Sequence, residues 1–255
     1  MGILEGKRLL ITGVLTDASI AFGVAAMAQA EGAEIILTGA GRGMRLTQRT
    51  ARKLATEPTV LEFDVTEPEH VDSVVAAVRD QFGTIDGALH AIGFAPEVCL
   101  GDDFMAAQWD DVAVAMQISA YSLKTLAEVA VPLMPDGGSI VGLDFDATVS
   151  WPAYNWMGVA KAAFESANRY LARAHGPADI RCNLVAAGPI RTMAAKSIPG
   201  FAVFEDNWDD RAPLGWDVND TEGVARACCA LLSDWFPQTT GSIIHVDGGY
   251  HAMGT

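Results

Sequence analysis

Lys7-Arg-Leu-Leu-Ile-Thr-Gly13 is a short apolar run that ends in a glycine, and it begins a pattern that continues through the chain. Consecutive apolar residues bounded by turn signals predict a buried strand. Residues 19–32 then show helical spacing and end at another glycine, which predicts a helix opened by Ser19. A strand followed at once by a helix is the first part of a βαβ unit.

The same alternation of strand and helix runs to the end of the chain. Further strands are predicted at 34–38, 59–64, 86–92, 138–143, 180–185 and 241–246, and helices at 42–55, 67–82, 109–131, 153–175 and 221–233. Strands that alternate with helices form a parallel sheet covered on both faces. We therefore expect an α/β fold with one doubly wound, Rossmann-like sheet of about seven strands, in a single domain over residues 1–255.

The composition excludes several classes of protein. The chain has 255 residues, 50% of them hydrophobic, and a formal net charge of −15. Nucleic acid binding needs a basic surface, so we expect no nucleic acid partner. No apolar run spans a membrane and no signal peptide layout is present, so we expect a cytoplasmic protein without membrane contact. Neither the cysteine spacing nor the scattered histidines predict a metal site.

A tyrosine and a lysine in residues 151–161, Trp-Pro-Ala-Tyr-Asn-Trp-Met-Gly-Val-Ala-Lys, are the strongest candidates for chemistry. Tyr154 and Lys161 are about two helical turns apart, so on a helix they share one face. An ammonium holds hydroxyls of a ligand, and a phenol beside it can donate to an oxygen that gains negative charge. A buried structural phenol and a solvated lysine are the alternatives.

The loops after the strands lie where parallel sheets bind ligands. Gly13 lets the backbone approach a phosphate, and Ser19 opens a helix whose free N–H groups can hold a pyrophosphate. The spacing is not G-x-G-x-x-G, so an ordinary strand–turn–helix with a serine cap explains this loop equally well. Other loops add residues suited to the rest of a dinucleotide: Asp64, Val65, Ile92, Gly93 and Thr192.

Two spacings distinguish the chain from most nucleotide-binding reductases. The glycine motif is Gly13-x5-Ser19-x-Ala21, and the pair is Tyr-x6-Lys, with Gly158 at the spacing where Tyr-x3-Lys would have its lysine. Together with the loops, these features resemble the short-chain dehydrogenase/reductase superfamily, and within it the divergent enoyl reductases.

Four longer stretches narrow the resemblance. Residues 143–146, 152–157, 183–192 and 211–216 are similar to the NADH-dependent enoyl-acyl-carrier-protein reductases of fatty-acid biosynthesis, in the form used by the mycolic-acid pathway. This resemblance covers nearly the whole chain. It implies that hydride from NADH reduces the trans-2 double bond of an enoyl thioester.

The resemblance also implies roles for individual residues. Tyr154 would hydrogen-bond the thioester oxygen, and Lys161 would hold the nicotinamide ribose. Phe145 cannot donate a proton, so it would pack beside nicotinamide and substrate, with plain core packing as the alternative. The implied cofactor contacts are Gly13, Ser19, Ile20, Asp64, Val65, Ile92, Gly93, Lys161, Ile190 and Thr192. The implied substrate contacts are Tyr154, Phe145, Met157, Met193 and Ile198.

The family implies a homotetramer. Apolar residues lie on more than one face of the predicted helices 109–131 and 153–175, as at Ala160, Ala163 and Phe164, which suits burial between subunits. Packing inside one subunit is the alternative.

Two segments depart from the family pattern. The loop 39–44 lacks the acidic residue that marks NAD and carries Arg42, so NADPH is an alternative to NADH. The substrate-binding segment, about 193–208, is shorter than in the long-chain members by about two to three helical turns. A shorter lid covers less of an acyl chain, so we expect short or medium chains.

Alternatives remain for the carrier of the acyl group and for the reaction itself. Acyl carrier protein is acidic, so docking would use local positive charges such as Arg191, Lys196 and Arg211, and a coenzyme A thioester is the other donor. A ketoacyl or carbonyl reductase on the same fold is a second hypothesis, which the Tyr-x6-Lys spacing disfavours. A non-catalytic cofactor-binding module is a third, which would not need the Tyr154 phenol.

Overall fold

The structure, a computed structural model, describes residues 2–199, 201, 204, 208 and 210–254. Its strands are β1 (Arg8–Ile11), β2 (Glu34–Gly39), β3 (Val60–Glu62), β4 (Gly87–His90), β5 (Gly138–Asp144), β6 (Ile180–Ala187) and β7 (Ile243–Val246). They form one seven-stranded sheet in the order β3-β2-β1-β4-β5-β6-β7, and every neighbouring pair is parallel. The predicted α/β fold with a Rossmann-like parallel sheet is confirmed.

Helices cover both faces of this sheet. They are α1 (Ile20–Ala30), α2 (Met44–Ala51), α3 (Pro68–Phe82), α4 (Trp109–Met116), α5 (Ser122–Ala130), α6 (Asn155–His175) and α7 (Glu222–Leu232). Buried side chains of α1 and α7 belong to one core cluster, and those of α3, α5 and α6 belong to another. The strand order reverses between β1 and β4, so the switch point of the sheet lies at their carboxyl ends.

The central strands are rich in apolar residues because both of their faces are buried. In β1, Leu9 and Ile11 belong to the cluster under α1, whereas Leu10 belongs to the cluster under α3 and α5. Successive side chains of a strand point to opposite faces, so a strand between two helical layers needs an apolar residue at every position. This explains why the apolar residues within the run 7–12 follow one another directly and do not alternate with polar residues.

The element boundaries differ from the sequence prediction in two places that matter for function. The predicted helix 109–131 is interrupted by a π-helical turn at Gln117–Tyr121. The predicted helix 153–175 begins at Asn155, which makes Tyr154 its N-cap. Strands β3 and β4 are also shorter than predicted, so the loops after them begin at Phe63 and Ala91.

Two further observations concern sites outside the sheet. Within residues 2–199, 201, 204, 208 and 210–254, no group of histidine, cysteine, aspartate and glutamate side chains is arranged to hold a metal ion. The four cysteines are buried free thiols. None of the helices that the structure describes combines the length and the apolarity needed to cross a membrane.

Candidate active site

The carboxyl ends of β1 and β4 approach each other closely at Gly13. The Thr12 hydroxyl donates to the Leu89 carbonyl at 2.9 Å and accepts from the Ala91 N–H at 2.9 Å, which ties the two strand ends together. Gly13 has φ +79°, and a Cβ there would lie 2.0 Å from the Ala91 carbonyl oxygen. Only glycine fits this position, because any side chain would both clash and strain the backbone.

The loop from Gly13 leads directly into the N-terminus of α1. Ser19 is the N-cap of this helix, and its hydroxyl accepts from the Phe22 N–H at 3.3 Å and donates to the Thr16 carbonyl at 2.6 Å. Ile20 is the first helical residue. The first N–H groups of a helix have no partner within it, so those of Ile20 and Ala21, which the Ser19 cap does not use, can donate to an anion in front of the helix.

Asp64 and Val65 follow β3 in a tight turn. One carboxylate oxygen of Asp64, Oδ1, accepts from the Thr66 N–H at 2.9 Å and from the Thr66 hydroxyl at 2.7 Å. The Asp64 N–H donates to Nδ1 of His70 at 2.9 Å. These bonds fix the carboxylate at the sheet edge. Val65 packs against the core cluster beneath it.

Ile92 and Gly93 follow β4 and are held by the π-helical turn. The buried Ser119 hydroxyl donates to the Phe94 carbonyl at 2.7 Å and accepts from the Phe94 N–H at 2.8 Å. A Cβ on Gly93 would meet only the Ser119 oxygen, at 3.9 Å. The loop therefore presents small, accessible backbone next to the end of β1.

Ile190 and Thr192 follow β6 on the other side of the switch point. Ile190 is buried, and the Thr192 hydroxyl accepts from the Ala195 N–H at 3.1 Å. The N–H of Arg191 donates to the Val218 carbonyl at 2.7 Å. The hydroxyl proton of Thr192 is not used in the bond with Ala195, so this side chain can still donate to a ligand.

Tyr154 stands on a strained turn in front of α6. Its neighbours Ala153 and Asn155 have φ +57° and +48°, in the left-handed region that side chains rarely adopt. The Asn155 amide donates to the carbonyls of Gly101 and Asp103, each at 3.1 Å, and the Gly101 N–H donates to the Ala153 carbonyl at 2.8 Å. Such strain persists only where surrounding contacts enforce it, and it concentrates at functional sites.

The aromatic ring of Phe145 packs edge-on against Tyr154, with 5.0 Å between ring centroids. Phe145 lies directly after β5. The Tyr154 ring is almost fully buried, and burial, followed by the nearby Asp144 carboxylate, raises the pKa of its phenol. The phenol therefore stays protonated at neutral pH and remains a hydrogen-bond donor.

Lys161 lies inside the molecule beside Asp144. Its Nζ donates to the Leu143 carbonyl at 2.8 Å and lies 3.8 Å from Asp144 Oδ1 and 4.7 Å from the centroid of the Phe164 ring. Burial lowers the pKa of the Lys161 ammonium, opposed by Asp144 and Glu165. Burial also raises the pKa of Asp144 to about 7, although Lys161 acts in the opposite direction.

His90, at the end of β4, is a buried neutral imidazole. Its Nε2 lies 2.7 Å from the Ser122 hydroxyl, which itself donates to the Ile118 carbonyl at 2.6 Å. Ser122 must therefore accept from His90, so Nε2 carries the proton. Burial, followed by the charge of Lys161, lowers the pKa of His90 to about 3.

We expect His90 to weaken the fold in acid. The unfolded imidazole binds its proton near pH 6.5 and the folded one only near pH 3, so stability is lost as the pH falls between these values. The slope from this group approaches about 1.4 kcal/mol per pH unit. Urea unfolding of wild type and His90→Gln between pH 7.5 and 5 measures the difference in slope, because the glutamine amide can still donate to Ser122.

A partly exposed histidine at the end of α6 provides the control for this measurement. His175→Gln makes the same substitution away from His90 and shows the effect of losing a histidine as such. Equal slopes for wild type and His90→Gln would contradict the assignment.

The predicted substrate residues other than Tyr154 and Phe145 lie in three separate environments. Met157 packs against the small apolar cluster around Ala95, Cys99 and Ala115. Ile198 packs against Phe204 and Trp208, in the cluster that also contacts Phe145. Met193 is 46% exposed. Of the segment 193–208, residues 200, 202, 203 and 205–207 lie outside the described part, and Val203 is among them.

The chemistry of this edge of the sheet fits a dinucleotide. Neither carboxylate oxygen of the buried Asp144 has a hydrogen-bond partner among the described residues, and a buried ammonium lies beside it. Buried polar atoms without partners are rare in folded proteins and indicate that a ligand or water completes them. Gly13, the N-terminus of α1 and Lys161 would hold phosphate and ribose groups here.

Comparisons with known proteins agree with this geometry. The family described as "Enoyl-(Acyl carrier protein) reductase" matches residues 13–251. Enoyl-[acyl-carrier-protein] reductase [NADH] of Mycolicibacterium smegmatis is 48% identical to this chain, over 97% of both sequences. The corresponding protein of Mycobacterium avium is 45% identical over 97% of both, and one from Aquifex aeolicus is 37% identical over 100% of this chain and 94% of its own. This chain belongs to the enoyl-(acyl carrier protein) reductase family.

Membership of the enoyl-(acyl carrier protein) reductase family confirms the resemblance inferred from the motifs. It favours an enoyl reductase over a carbonyl reductase or a non-catalytic module. The alignment with the M. smegmatis relative extends over 262 positions, more than the 255 residues of this chain. This enoyl reductase therefore lacks residues that its relative has.

Several residues of the enoyl reductase site were missed from the sequence. Asp144 lies in the family-like stretch 143–146 but was given no role, because an aspartate at a strand end is usually solvated. Trp151 and Tyr250 are far apart in the chain, yet their rings lie 5.7 Å apart beside Phe145. The position of Ser119 in an unbroken apolar helical pattern hid its role in holding the loop at Phe94. Only the three-dimensional packing reveals these residues.

Proposed function

We propose that this protein reduces the trans-2 double bond of enoyl thioesters with NADH, as a single reductase domain over residues 1–255. The observation that carries the proposal is the buried Lys161 ammonium at the carboxyl end of β5, together with the buried Tyr154 phenol that packs against Phe145 directly after the same strand. This arrangement offers one cation for a cofactor and one neutral acid for a substrate oxygen. The relatives named above are enoyl-[acyl-carrier-protein] reductases.

Tyr154 stabilises the charge that develops on the substrate. When bound, NADH supplies the hydride that adds to the β-carbon of the enoyl group. Negative charge then builds on the thioester oxygen, and a hydrogen bond from the phenol stabilises it most strongly in a site that excludes water. Since burial raises the pKa of this phenol, Tyr154 donates over the whole neutral range. Phe145 orients the reacting groups by packing and moves no proton.

Lys161 positions the cofactor. An ammonium has three N–H donors, and one of them is spent on the Leu143 carbonyl at 2.8 Å. The others are available to the ribose hydroxyls. The bond to Leu143 fixes the lysine stem, so little side-chain entropy remains to be lost on binding.

The remaining cofactor contacts follow the sheet edge. The pyrophosphate is proposed to lie at the N-terminus of α1, bordered by Gly13, Ser19 and Ile20. The close approach of the ends of β1 and β4 at Gly13 and the N–H groups at the start of α1 support this placement. Asp64 and Val65 border adenine, whereas Ile92 and Gly93 present open backbone. Ile190 and Thr192 border the nicotinamide, where the threonine hydroxyl proton is available.

NADH should be preferred to NADPH by about tenfold or more in kcat/KM, equivalent to 1.4 kcal/mol. The relatives named above are NADH enzymes. The one cation in the loop after β2 is Arg42, in a short 3₁₀ turn, and its side chain is exposed. Steady-state rates with both cofactors, in wild type and Arg42→Ala, test the preference. A higher kcat/KM for NADPH that Arg42→Ala abolishes would reverse the assignment.

The substrate lid is proposed to be the segment 193–208. Ile198, Phe204 and Trp208 pack toward Phe145, which supports this placement. Lys196 is exposed within the lid and Arg191 is exposed just before it, whereas Arg211 is half-buried, with its guanidinium 4.6 Å from the centroid of the Tyr250 ring. We propose that Arg191 and Lys196 contact the acidic acyl carrier protein, with coenzyme A thioesters as the alternative donor.

A homotetramer is proposed as the working assembly. Large apolar side chains are exposed on α4 and α6, among them Trp109 at 74% and Tyr170 at 69%. The residues that suggested this from the sequence, Ala160, Ala163 and Phe164, pack inside the subunit instead. Light scattering of the purified protein measures the assembly.

The cytoplasm is the proposed location. The four cysteines are buried free thiols, the state that the reducing cytoplasm maintains. Cell fractionation followed by immunodetection measures the distribution.

The decisive experiment is NADH oxidation with a crotonyl thioester compared with an acetoacetyl thioester. An enoyl reductase oxidises NADH with the first and leaves the second unchanged. Turnover of the acetoacetyl thioester alone would establish a carbonyl reductase instead. Cofactor binding without turnover of either thioester would indicate a binding module.

A further inference from the structure

A layer of aromatic rings borders Phe145, which also packs against Tyr154. The ring centroids of Trp151, Phe204 and Trp208 lie 5.0, 5.9 and 5.9 Å from that of Phe145. They also contact one another, with 5.2 Å between Trp151 and Trp208 and 6.2 Å between Trp151 and Phe204. We call Trp151, Phe204 and Trp208 the aromatic wall.

The aromatic wall also borders a cavity of about 510 Å³. All three wall residues line it together with Val149, Pro152 and Tyr250, and polar side chains, among them Thr148 and Arg211, complete its lining. Phe145 and Tyr154 do not line it. The three rings therefore contact Phe145 and also border a space large enough for several methylene groups, which neither Phe145 nor Tyr154 lines.

Trp151 is fixed in the wall by polar contacts at both ends. Its indole N–H donates to the Asp146 carbonyl at 2.6 Å, and its own carbonyl accepts from the Tyr154 N–H at 3.3 Å. Asp146 is in turn held by the Thr148 N–H and hydroxyl, at 3.0 and 2.7 Å. An indole held in this way cannot swing aside without breaking a hydrogen bond.

The three wall residues differ in how readily they can be altered. Trp208 is 2% exposed, donates to the Asp247 carbonyl at 2.9 Å and stacks on Tyr250 at 3.9 Å, so it also supports the C-terminal turn. Phe204 is 6% exposed. Trp151 is only partly buried. Removing Trp151 opens the wall with the smallest loss of packing.

We propose that Trp151 sets the length of acyl chain that this enzyme accepts, and that its substrates are short enoyl thioesters. The inference rests on the proposed function, because it places the thioester at Tyr154. An apolar chain that leaves Tyr154 along Phe145 meets the face of Trp151. A longer chain must displace that ring or stay in water, and either loses the free energy of burying its methylenes.

The experiment replaces Trp151 and measures chain-length preference. Trp151→Ala removes the indole from the wall, and Trp151→Leu keeps an apolar side chain if the alanine variant folds poorly. Steady-state kcat/KM is measured for four-carbon and twelve-carbon trans-2-enoyl coenzyme A thioesters with NADH. Each methylene that enters the opened cavity strengthens binding by about fourfold. The ratio of twelve-carbon to four-carbon kcat/KM should therefore rise by about tenfold or more, which needs only about two methylenes.

A second tryptophan provides the matched control. Trp235 follows α7, far from the wall, and is 70% exposed. Trp235→Ala makes the same chemical change and should leave the ratio as in wild type. An unchanged ratio in folded Trp151 variants that bind NADH would overturn the proposal.

A binding measurement separates this inference from the proposed function. Calorimetric titration of the NAD⁺-loaded protein with the twelve-carbon thioester needs no turnover. Binding to Trp151→Ala that is about tenfold tighter than to wild type supports the proposed role of Trp151 even if neither thioester is reduced. Equal binding, or none, in both proteins overturns it. If the wild type reduces no enoyl thioester, the proposed function fails independently of this result.

Discussion

Tyr154→Phe should lower kcat on the order of 10²-fold, because the substitution removes the single donor proposed to stabilise the thioester oxygen. The fold and NADH affinity should survive. No described residue hydrogen-bonds the Tyr154 hydroxyl, and the remaining ring keeps its contact with Phe145 at 5.0 Å between centroids. Removing a hydroxyl that bonds no protein group costs little stability. Crotonyl thioester turnover and the NADH dissociation constant measure the two effects separately.

A tyrosine on the surface of α6 provides the matched control. Tyr170 is 69% exposed, and Tyr170→Phe should turn over at the wild-type rate. If Tyr154→Phe were as active as Tyr170→Phe, the proposed role of the phenol would be refuted. A parallel loss of NADH affinity would instead point to a cofactor role.

Lys161→Ala should weaken NADH binding by about 10²-fold, because two hydrogen bonds from a charged donor contribute about 1.5 kcal/mol each. The prediction depends on the buried ammonium being bound to the Leu143 carbonyl and aimed at the ribose position. Fluorescence titration with NADH measures the dissociation constant directly. Lys161→Met, which keeps most of the stem, separates the loss of charge from the loss of packing.

The pKa of Asp144 determines the pH at which NADH binding to Lys161→Ala should be measured. Lys161 lowers the pKa of Asp144, so removing the lysine raises that pKa above its value of about 7. At pH 6.5 the carboxyl is then protonated, and no uncompensated charge remains in the core. Lys124→Ala, on the surface of α5, is the matched control and should bind NADH as wild type does. Unchanged affinity in Lys161→Ala would remove the lysine from the cofactor site.

The fold was predictable because its signals are local. The first strand contains the apolar run Leu9, Leu10 and Ile11, and the turns after β1 and α1 carry glycines with positive φ. Parallel order follows from the alternation of strands and helices. Family motifs such as Tyr-x6-Lys then located the Tyr154 and Lys161 side chains, which the structure brings to one edge of the sheet with Phe145.

The features that could not be predicted from the sequence have a different physical cause. Whether an acid such as Asp144 is buried depends on neighbours distant in the chain, so no local pattern reports it. The aromatic wall joins Trp151 to residues more than fifty positions later. The turn at Tyr154 was assigned to the helix because Ala153 carries no signal for a left-handed conformation, which hydrogen bonds from the loop at Gly101 impose.

The π-helical turn at Gln117–Tyr121 has an evolutionary consequence. Such a turn closes its hydrogen bonds over five residues rather than four, so it accommodates one residue more than an α-helix over the same path. A one-residue insertion in an ancestral straight helix would produce it. That insertion would have turned Ser119 toward the backbone of Phe94 without moving α4 or α5 from the sheet. Relatives that lost the residue would need another way to hold the loop after β4, and a deletion here would change the pocket rather than the fold.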